Sequence, residues 1–240
     1  MKRPRIVCHG FTSVDGRIRT ERWSEPAIGT RPNVVALTDR QTLSAMEGDG
    51  VITGVEMVAG APGIAIGRSM TADVHVAPNF YAKRLERPLC IVYDPDCLLR
   101  LSTNRFEEGQ LVLITSRRAS EAYLEQARIA RVSYVFAGDD GSALGEALSA
   151  IQSHFGSTLF VLRADGQTNS VFMAQGMVDQ VSVLIFPGLD TISGASSLFE
   201  SPVEQQKGAA VGKSLLHIST QTLDGGIVWL RYLVEHAMAS

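Results

Sequence analysis

The stretch 110-QLVLITSRRASEAYLEQARIARVSYVFA-137 contains a strand, a helix and a second strand, one after another. Residues 110–116 are a continuous apolar run, as expected of a strand that is covered on both faces of a sheet. Residues 119–130 have a helical pattern, and residues 131–137 return to a strand-like run. A helix that joins two strands in this way lets them pair in parallel. The stretch therefore predicts a parallel sheet flanked by helices.

The same alternation of strands and helices extends over the rest of the chain. Further strand-like runs are the first one, which contains Ile6, Val7, Cys8 and Phe11, and those at 50–53, 88–94, 158–163 and 179–187. A capping box from Thr38 to Gln41 predicts the start of a short helix. Two more helices are predicted, over 142–155 and over 168–176, and Gly176 is the expected C-terminal cap of the second.

The last part of the chain has the pattern of a hairpin. The runs "SLLHISTQTL" and "GIVWLRYLV" flank Asp224, Gly225 and Gly226, which are favoured turn residues. The loop before this hairpin, residues 188–212, is rich in Gly, Ser and Pro, and loops of that length are usually functional or mobile. We predict one α/β domain over residues 1–240, with a mostly parallel central sheet, flanking helices and an antiparallel C-terminal hairpin.

The composition excludes several classes of function. A net charge of −3 and a pI near 6.0 argue against nucleic acid as a partner. No apolar run approaches the roughly 18 residues that a membrane span needs, and the first residues lack the pattern of a signal peptide. The spacing of the histidines and of the 3 cysteines matches no metal-binding motif. We therefore expect a cytoplasmic protein with reduced thiols and no metal.

Polar residues follow the first strand closely. Ser13, Asp15, Gly16 and Arg17 come within a few residues of its apolar part. One interpretation is an ordinary Asp-Gly turn. The other is a pocket, because α/β sheets bind ligands beyond the carboxyl ends of their strands.

A second group of polar residues follows the strand at 110–116. Thr115, Ser116 and Arg117 combine hydroxyls and a guanidinium at a strand end, which suits a phosphate monoester such as the 2′-phosphate of NADPH. The alternative is that Arg117 and Arg118 are solvated residues at the start of a loop.

The segment "RADGQTN", residues 163–169, joins a strand to a helix. A glycine there lets main-chain N–H groups approach a pyrophosphate at the start of a helix. Asp-Gly also serves as a plain turn, and Asp165 would repel a phosphate unless its side chain turns away. Neither the Walker loop nor the G-x-G-x-x-G fingerprint is present.

Four segments together resemble one family. "FTSVDGRI" resembles the S-x-D-G-R-I signature of the reductase domain of bacterial bifunctional riboflavin-biosynthesis deaminase-reductases, which have a dihydrofolate-reductase-like fold. "GDGVITGVEMVAGAPGIAIGR", "RPLCIVYDPDCLL" and "LFVLRADGQTNSVFMAQGMVDQVSVLIFP" are similar to later segments of that domain, in the same order. The zinc deaminase motifs are absent from this sequence.

The resemblance implies an NADPH-dependent reductase that forms a homodimer. Its substrate would be a small heterocycle or a ribosyl-type carbonyl compound, as for the 5-amino-6-(5-phosphoribosylamino)uracil reductases. The resemblance places Ser13 and Asp15 at the catalytic centre and Arg17 and Arg68 on the substrate. The implied cofactor-binding residues are Gly16, Gly54, Val58, Thr115, Ser116, Arg117, Gly166, Gln167 and Thr168. The edge-like strand "GIVWLRYLV", with Trp229 and Tyr232, would supply the dimer interface.

The sequence departs from the family pattern in the cofactor loops. Glu56, Met57 and Ala61 replace family residues in the second segment. In the fourth segment Arg163 replaces the family glutamate, and Ala164 and Asp165 replace two glycines.

Two alternatives therefore stay open. One is a pterin or dihydrofolate reductase, which would need an acidic residue on the first long helix, where Asp39 and Glu47 lie. The other is a non-catalytic, reductase-like dimer that binds a ligand. Titration with NADPH separates the enzymatic interpretations from the non-catalytic one.

Overall fold

A computed structural model describes residues 3–25, 33–74, 77–201 and 208–236. The chain divides into two compact units. Unit 1 consists of residues 1–5 and 49–160, and unit 2 consists of residues 6–48 and 161–240. Each unit contains both strands and helices.

Unit 1 contains a parallel sheet. Strands β2 (Gly50–Gly54), β4 (Leu89–Tyr93), β7 (Gly109–Thr115) and β8 (Ser133–Phe136) pair in parallel in that order. The short strand β6 (Arg105–Phe106) adds to β7 in the antiparallel direction. A separate two-stranded sheet is formed by β3 (Ile64–Ile66) and β5 (Leu99–Leu101). The strand–helix–strand stretch at 110–137 thus forms the parallel pair β7–β8, as predicted.

The helices of unit 1 cover this sheet with apolar side chains. They are α2 (Val55–Val58), α3 (Glu121–Ile129) and α4 (Leu144–Phe155). Ser120 caps α3, because its side chain accepts a hydrogen bond from the main-chain N–H of Tyr123. Tyr123 is fully buried beside Leu111 and Leu113 in the core of the unit. Its hydroxyl donates to the Oδ2 atom of Asp94 at 2.6 Å.

Asp94 connects the end of β4 to the chain that follows it. Its carboxylate also accepts the main-chain N–H groups of Leu98 and Leu99, both at 2.9 Å. Burial raises the pKa of Asp94, and these hydrogen bonds act in the opposite direction. A buried carboxylate is tolerated here because several donors satisfy its oxygens.

Unit 2 combines a parallel strand pair with the C-terminal hairpin. Strand β1 (Arg5–Ser13), whose first residue belongs to unit 1, pairs in parallel with β10 (Gln180–Phe186). Strand β12 (Val228–His236) pairs with β10 and with β11 (Lys213–Thr222), both in the antiparallel direction. The turn at Asp224–Gly226 joins β11 to β12, which confirms the predicted hairpin. Strand β9 (Leu159–Leu162) has two residues in each unit.

The helices of unit 2 are α1 (Val34–Ala45) and α5 (Gly166–Ala174). Val34 of α1 packs with Leu184 and Phe186 of β10 in one hydrophobic cluster. The left-handed Gly176 (φ 68°) lies just past α5, where the sequence predicts a C-terminal cap.

The predicted helix starts differ from the observed ones by two to four residues: α3 begins at Glu121 and α4 at Leu144, each two residues later than predicted. The helix predicted to open at Thr38 begins at Val34, so the Thr38–Gln41 pattern lies inside α1. Burial of Val34 against β10 extends the helix backwards, although Asn33 before it provides no side-chain cap. The helix predicted from Thr168 begins at Gly166, because Asp165 caps it.

The pairing of β2 with β4 leads to a stability prediction. A Cβ atom on Gly50 would overlap the main chain of Leu89, its partner in β4. Gly50→Ala should therefore reduce the free energy of unfolding by about 1–3 kcal/mol, as overpacking usually does. Gly208→Ala is the control, because a Cβ atom there has open space. Urea unfolding checks both variants, and equal midpoints for Gly50→Ala and the wild type would contradict the prediction.

Candidate active site

The turn after β1 is held by side-chain hydrogen bonds. The hydroxyl of Ser13 donates to Asp15 Oδ1 at 2.6 Å and accepts the main-chain N–H of Arg17 at 3.0 Å. The Gly16 N–H donates to the Ser13 carbonyl at 2.9 Å, and Gly16 has a φ of 79°. Because that left-handed conformation favours glycine, the Asp-Gly turn interpretation is correct for the local backbone.

Asp15 also holds a loop that is distant in sequence. Its carboxylate accepts the main-chain N–H groups of Asp190 at 3.1 Å and Thr191 at 2.9 Å. Thr191 has a φ of 63°, which is unfavourable for a β-branched residue. The hydrogen bonds from Ser13, Thr191 and Asp190 lower the pKa of Asp15 well below its usual range. Asp15 is therefore an ionised acceptor near neutral pH.

Arg17 binds a later part of the same loop. Its Nη1 donates to the Ala195 carbonyl at 2.6 Å, and its main chain forms a bridge with Ser197. The Nε atom of Arg17 is buried and has no hydrogen-bond partner within the described residues. Arg22 forms an ion pair with the buried Asp190 at 2.9 Å. The residues after β1 thus hold loop 188–201 at several points.

The loop also brings the start of α5 into this network. The carbonyl of Gly166 accepts the main-chain N–H of Glu200 at 2.9 Å. Gly166 is buried, Gln167 is exposed and Thr168 is half-buried. Loop 188–201 therefore contacts both predicted groups in unit 2: Ser13–Arg17 contact residues between Asp190 and Ser197, and Gly166 lies against Ser197 and Glu200. The sequence marked residues 188–212 as a long loop of a kind that is usually functional or mobile, but it gave no sign of the individual contacts of Asp190, Ala195 and Ser197.

A buried polar chain crosses unit 2. Trp229 Nε1 donates to Ser182 Oγ at 2.8 Å, and Ser182 Oγ lies 3.0 Å from His9 Nδ1. His9 Nε2 lies 3.6 Å from Asp39 Oδ1, and Asp39 Oδ2 pairs with Arg163 at 2.6 Å. Burial alone would raise the pKa of Asp39, but the His9 contact and the charge of Arg163 outweigh it and lower that pKa. The carboxylate of α1 is thus engaged within the protein.

In unit 1 the predicted hydroxyls at the end of β7 are buried. Thr115 Oγ1 donates to the Asp94 carbonyl at 2.9 Å, and Ser116 Oγ donates to the Pro95 carbonyl at 2.7 Å. The guanidinium of Arg117 lies 5.2 Å from the centre of the Phe136 ring and donates to the Ala77 carbonyl at 3.2 Å. Both hydroxyls therefore stabilise the chain after β4, and the half-buried Arg117 is the group that can reach a ligand.

The remaining predicted residues of unit 1 have different surroundings. Gly54 ends β2 and is buried, and Val58 is fully buried in the core of the unit. The Val58 side chain therefore packs in the core, which leaves its main chain as the part able to contact a cofactor. Arg68 is exposed, and its carbonyl accepts a hydrogen bond from Arg100.

The cysteines are unsuited to nucleophilic chemistry. Cys8, Cys90 and Cys97 are buried free thiols. Burial raises the pKa of Cys90 to about 12 and that of Cys97 to about 11, so both stay protonated near neutral pH. Within the described residues, no group of His, Cys, Asp and Glu is arranged to hold a metal ion. The described helices also include none with the length and apolar character that a membrane crossing requires.

Unit 2 contains a cleft beside α1. It has a volume of about 560 Å³ and lies at the hairpin turn between β11 and β12. Its lining residues are Val34, Leu37, Thr38, Gln41, Thr222, Leu223, Asp224 and Gly225. None of the site residues predicted from sequence is among them.

The model of the RibD C-terminal domain family matches residues 4–228 of this chain. The chain belongs to this family. Membership confirms the resemblance seen in the sequence and the predicted class, an oxidoreductase of the riboflavin-biosynthesis type. A search of curated proteins found no match.

Solved structures of the RibD type share the fold. A pyrimidine reductase-like protein from Corynebacterium diphtheriae is 16% identical with a TM-score of 0.64, and the match covers 97% of this chain and 92% of that one. RibD from Acinetobacter baumannii is 16% identical with a TM-score of 0.58, and the match covers 98% of this chain and 59% of that one. The Saccharomyces cerevisiae riboflavin biosynthesis reductase is 12% identical with a TM-score of 0.53, with coverages of 97% and 90%. These likenesses confirm the predicted α/β fold class.

The hydrogen bonds of Asp15 predict a pH-dependent contribution to stability. Because folding lowers its pKa, Asp15 stabilises the protein above its unfolded pKa of about 4, and this contribution disappears as the pH falls further. Asp15→Ala should destabilise the protein by a constant amount near neutral pH, and the difference from wild type should shrink below about pH 4. Urea unfolding over a pH series measures this difference. Asp73→Ala removes an exposed carboxylate as the control. A difference that is independent of pH would contradict the assignment.

Proposed function

We propose that the protein is an NADPH-dependent reductase of a small heterocyclic or ribosyl-type carbonyl substrate of the pyrimidine class. Family membership supports the reductase class, and the likeness to a pyrimidine reductase-like protein agrees with that substrate class. We choose NADPH over NADH because Arg117 lies at the end of β7 in unit 1.

Arg117 has the properties of a 2′-phosphate ligand. A guanidinium has five N–H donors in a planar fork, and the Ala77 carbonyl accepts a hydrogen bond from Nη1. The Phe136 ring and this hydrogen bond hold the side chain in position, which reduces the entropy lost when a phosphate binds. Arg118 beside it is exposed and adds a second positive charge. Arg117 and Arg118 therefore suit the 2′-phosphate of NADPH.

The start of α5 does not fit a pyrophosphate. Gly166 is covered by loop 188–201, and the carboxylate of Asp165 already accepts hydrogen bonds at the start of the helix. The lack of room for a pyrophosphate agrees with the non-catalytic alternative. We therefore assign no pyrophosphate contact to Gly166, Gln167 or Thr168, and we place the cofactor-specific contact at Arg117.

The residues after β1 have positioning roles in this proposal. A bound nicotinamide supplies the hydride, and the protein supplies orientation and a site of low water content. Asp15 is ionised, so it accepts hydrogen bonds and donates no proton. It orients loop 188–201 by accepting the main-chain N–H groups of Asp190 and Thr191, and Ser13 holds its carboxylate in place. Arg17, which the resemblance assigns to the substrate, is the proposed anchor for an anionic substrate group in unit 2. Arg68, which is exposed, is the corresponding proposal for unit 1.

The structure disfavours a pterin reductase. Such an enzyme usually has an acidic residue on the first long helix, but here Asp39 forms an ion pair with Arg163 through Oδ2 at 2.6 Å, and its Oδ1 is buried 3.6 Å from His9 Nε2. Glu47 is exposed just past the end of α1. Pterin reduction therefore ranks below pyrimidine reduction.

We propose further that the protein is a cytoplasmic homodimer. The three buried free thiols agree with a reducing compartment. The predicted edge strand with Trp229 and Tyr232 is β12, and this prediction is wrong, because β12 pairs with β10 on one side and with β11 on the other. The edge strand is β11, and it supports the dimer because its large apolar residues are exposed: Leu215 by 54%, Leu216 by 51% and Ile218 by 42%. An exposed apolar strand at a sheet edge is unfavourable unless a partner covers it. A second copy of the same chain is the simplest partner.

Cofactor choice provides the test of the reductase proposal. The wild type should bind NADPH more tightly than NADH and oxidise NADPH with a ribosylaminopyrimidine but not with dihydrofolate. Arg117→Ala should weaken NADPH binding about 10- to 100-fold, the size of a charge-assisted hydrogen bond, and leave NADH binding nearly unchanged. Dissociation constants measured by nicotinamide fluorescence check this.

Arg118→Ala is the matched control and should change NADPH binding less than Arg117→Ala. Equal losses for NADPH and NADH in Arg117→Ala would show that this arginine only supports the loop. If the wild type binds neither cofactor, the non-catalytic alternative replaces the reductase proposal.

The dimer is tested by placing a charge on β11. Leu216→Glu should convert the protein to a monomer at micromolar concentration, because a carboxylate in an apolar interface loses its hydration. Ile129→Glu is the control, since Ile129 is 74% exposed on α3. Light scattering coupled to gel filtration measures the mass. A monomeric wild type would refute the proposal.

A further inference from the structure

Unit 2 contains a second cavity, and its lining is mainly apolar. It has a volume of about 300 Å³, and its lining includes Met173 of α5, Val181 of β10, Phe199 and Leu215 of β11. That volume is at the lower end of the range for ligand pockets, so the cavity suits a small molecule. Among its described lining residues, none is a site residue predicted from the sequence.

This cavity is separate from the candidate active-site residues of unit 2. Val181 is the second residue of β10, so the cavity lies near the amino end of that strand. Asp15 and Arg17 follow the carboxyl end of β1, which pairs with β10 in parallel. The cavity and Asp15 therefore lie toward opposite ends of the same strand pair.

Ser170 of α5 lines the cavity with an unpaired hydroxyl. The residue is exposed by only 5%, and its Oγ atom has no hydrogen-bond partner within the described residues. Ser149 in α4 is exposed by the same 5%, but its hydroxyl donates to the Gly145 carbonyl at 2.7 Å, as is usual for a serine inside a helix. Because a buried hydroxyl without a partner is unfavourable, Ser170 points to a ligand that bonds with it.

Lys213 brings a positive charge to the rim of the cavity. Its Nζ atom donates to the Ala174 carbonyl at 3.4 Å in a hydrogen bond that is open to solvent. A lysine ammonium has three N–H donors, so it can bind a further acceptor. Ala174 comes one helical turn after Ser170, about 6 Å along the helix axis. The cavity thus combines a buried hydroxyl and a cation at its rim, about one turn of α5 apart.

We propose that this cavity is a binding site for a small aromatic carboxylate that also has a hydroxyl group. Met173 and Phe199 contact the ring, because a thioether and an aromatic ring both pack favourably against aromatic groups. The ligand's hydroxyl bonds with Ser170. Its carboxylate pairs with Lys213 at the rim, since a charge is costly to bury and a neutral group is not. This site is independent of the proposed reductase function.

The test uses three probes in isothermal titration calorimetry with the full chain. 4-Hydroxybenzoate has both polar groups, benzoate lacks the hydroxyl, and 4-hydroxybenzamide lacks the charge. The wild type should bind one 4-hydroxybenzoate per chain, about 2- to 12-fold more tightly than benzoate, the size of a neutral hydrogen bond. It should prefer 4-hydroxybenzoate to 4-hydroxybenzamide by about 2- to 5-fold, the size of an exposed ion pair.

Two variants each remove one of these preferences. Ser170→Ala should bind 4-hydroxybenzoate and benzoate equally and keep the preference over 4-hydroxybenzamide. Lys213→Gln should bind 4-hydroxybenzoate and 4-hydroxybenzamide equally and keep the preference over benzoate. A folding defect would weaken all three probes together, so the pattern distinguishes a lost contact from a damaged protein.

Ser149→Ala and Lys83→Gln are the matched controls. They remove a buried helical hydroxyl and an exposed ammonium from unit 1, and both preferences should remain. Saturation with NADPH should also leave the affinity for 4-hydroxybenzoate unchanged.

Four outcomes would overturn the proposal. The first is that the wild type does not bind 4-hydroxybenzoate, and the second is that both preferences survive in Ser170→Ala and Lys213→Gln. The third is that NADPH displaces 4-hydroxybenzoate, which would place the probe in the cofactor site. The fourth is binding by Leu216→Glu alone, which would show that a second copy of the chain covers the cavity. Failure to bind NADPH would refute the proposed function and leave this site intact.

Discussion

A carboxylate that accepts main-chain N–H groups just past the end of a strand is the interaction on which the loops of this protein depend. Asp15 does this after β1, Asp94 after β4 and Asp165 after β9. Each is satisfied within its own unit, Asp94 in unit 1 and the other two in unit 2. Asp94 is buried, and because an unpaired charge is costly when it is shielded from water, the chain after β4 strongly prefers the path that satisfies this carboxylate. Asp15 is exposed, so its hydrogen bonds favour one path of loop 188–201 more weakly.

Side chains past the strand ends that already have partners within the protein are less available to bind a ligand. In an α/β protein the residues past the carboxyl ends of strands form the ligand site. Here Thr115, Ser116 and Asp165 have hydrogen-bond partners within the protein, and Arg117 keeps most of its donors. These three side chains are therefore committed to stabilising their own loops.

Local patterns predicted much of the fold. The stretch 110–137 forms β7, α3 and β8 as expected, because a buried strand and an amphipathic helix have different apolar periods. The hairpin at Asp224–Gly226 follows from turn chemistry in the same way. The start of α1 did not follow from a local pattern. Thr38 has the spacing of a capping box, but the burial of Val34 against β10 extends the helix by one turn.

The sequence by itself determined the order of strands and helices, the C-terminal hairpin and the family, since these depend on periodicity, turn residues and short motifs. It also identified the polar groups at the strand ends. Only the tertiary structure decided how those groups are used. The hydrogen bond from Thr191 to Asp15 joins residues that are 176 positions apart, and loop 188–201 covers Gly166. Such contacts depend on the path of a loop through space, and the local periodicity of a sequence carries no information about that path.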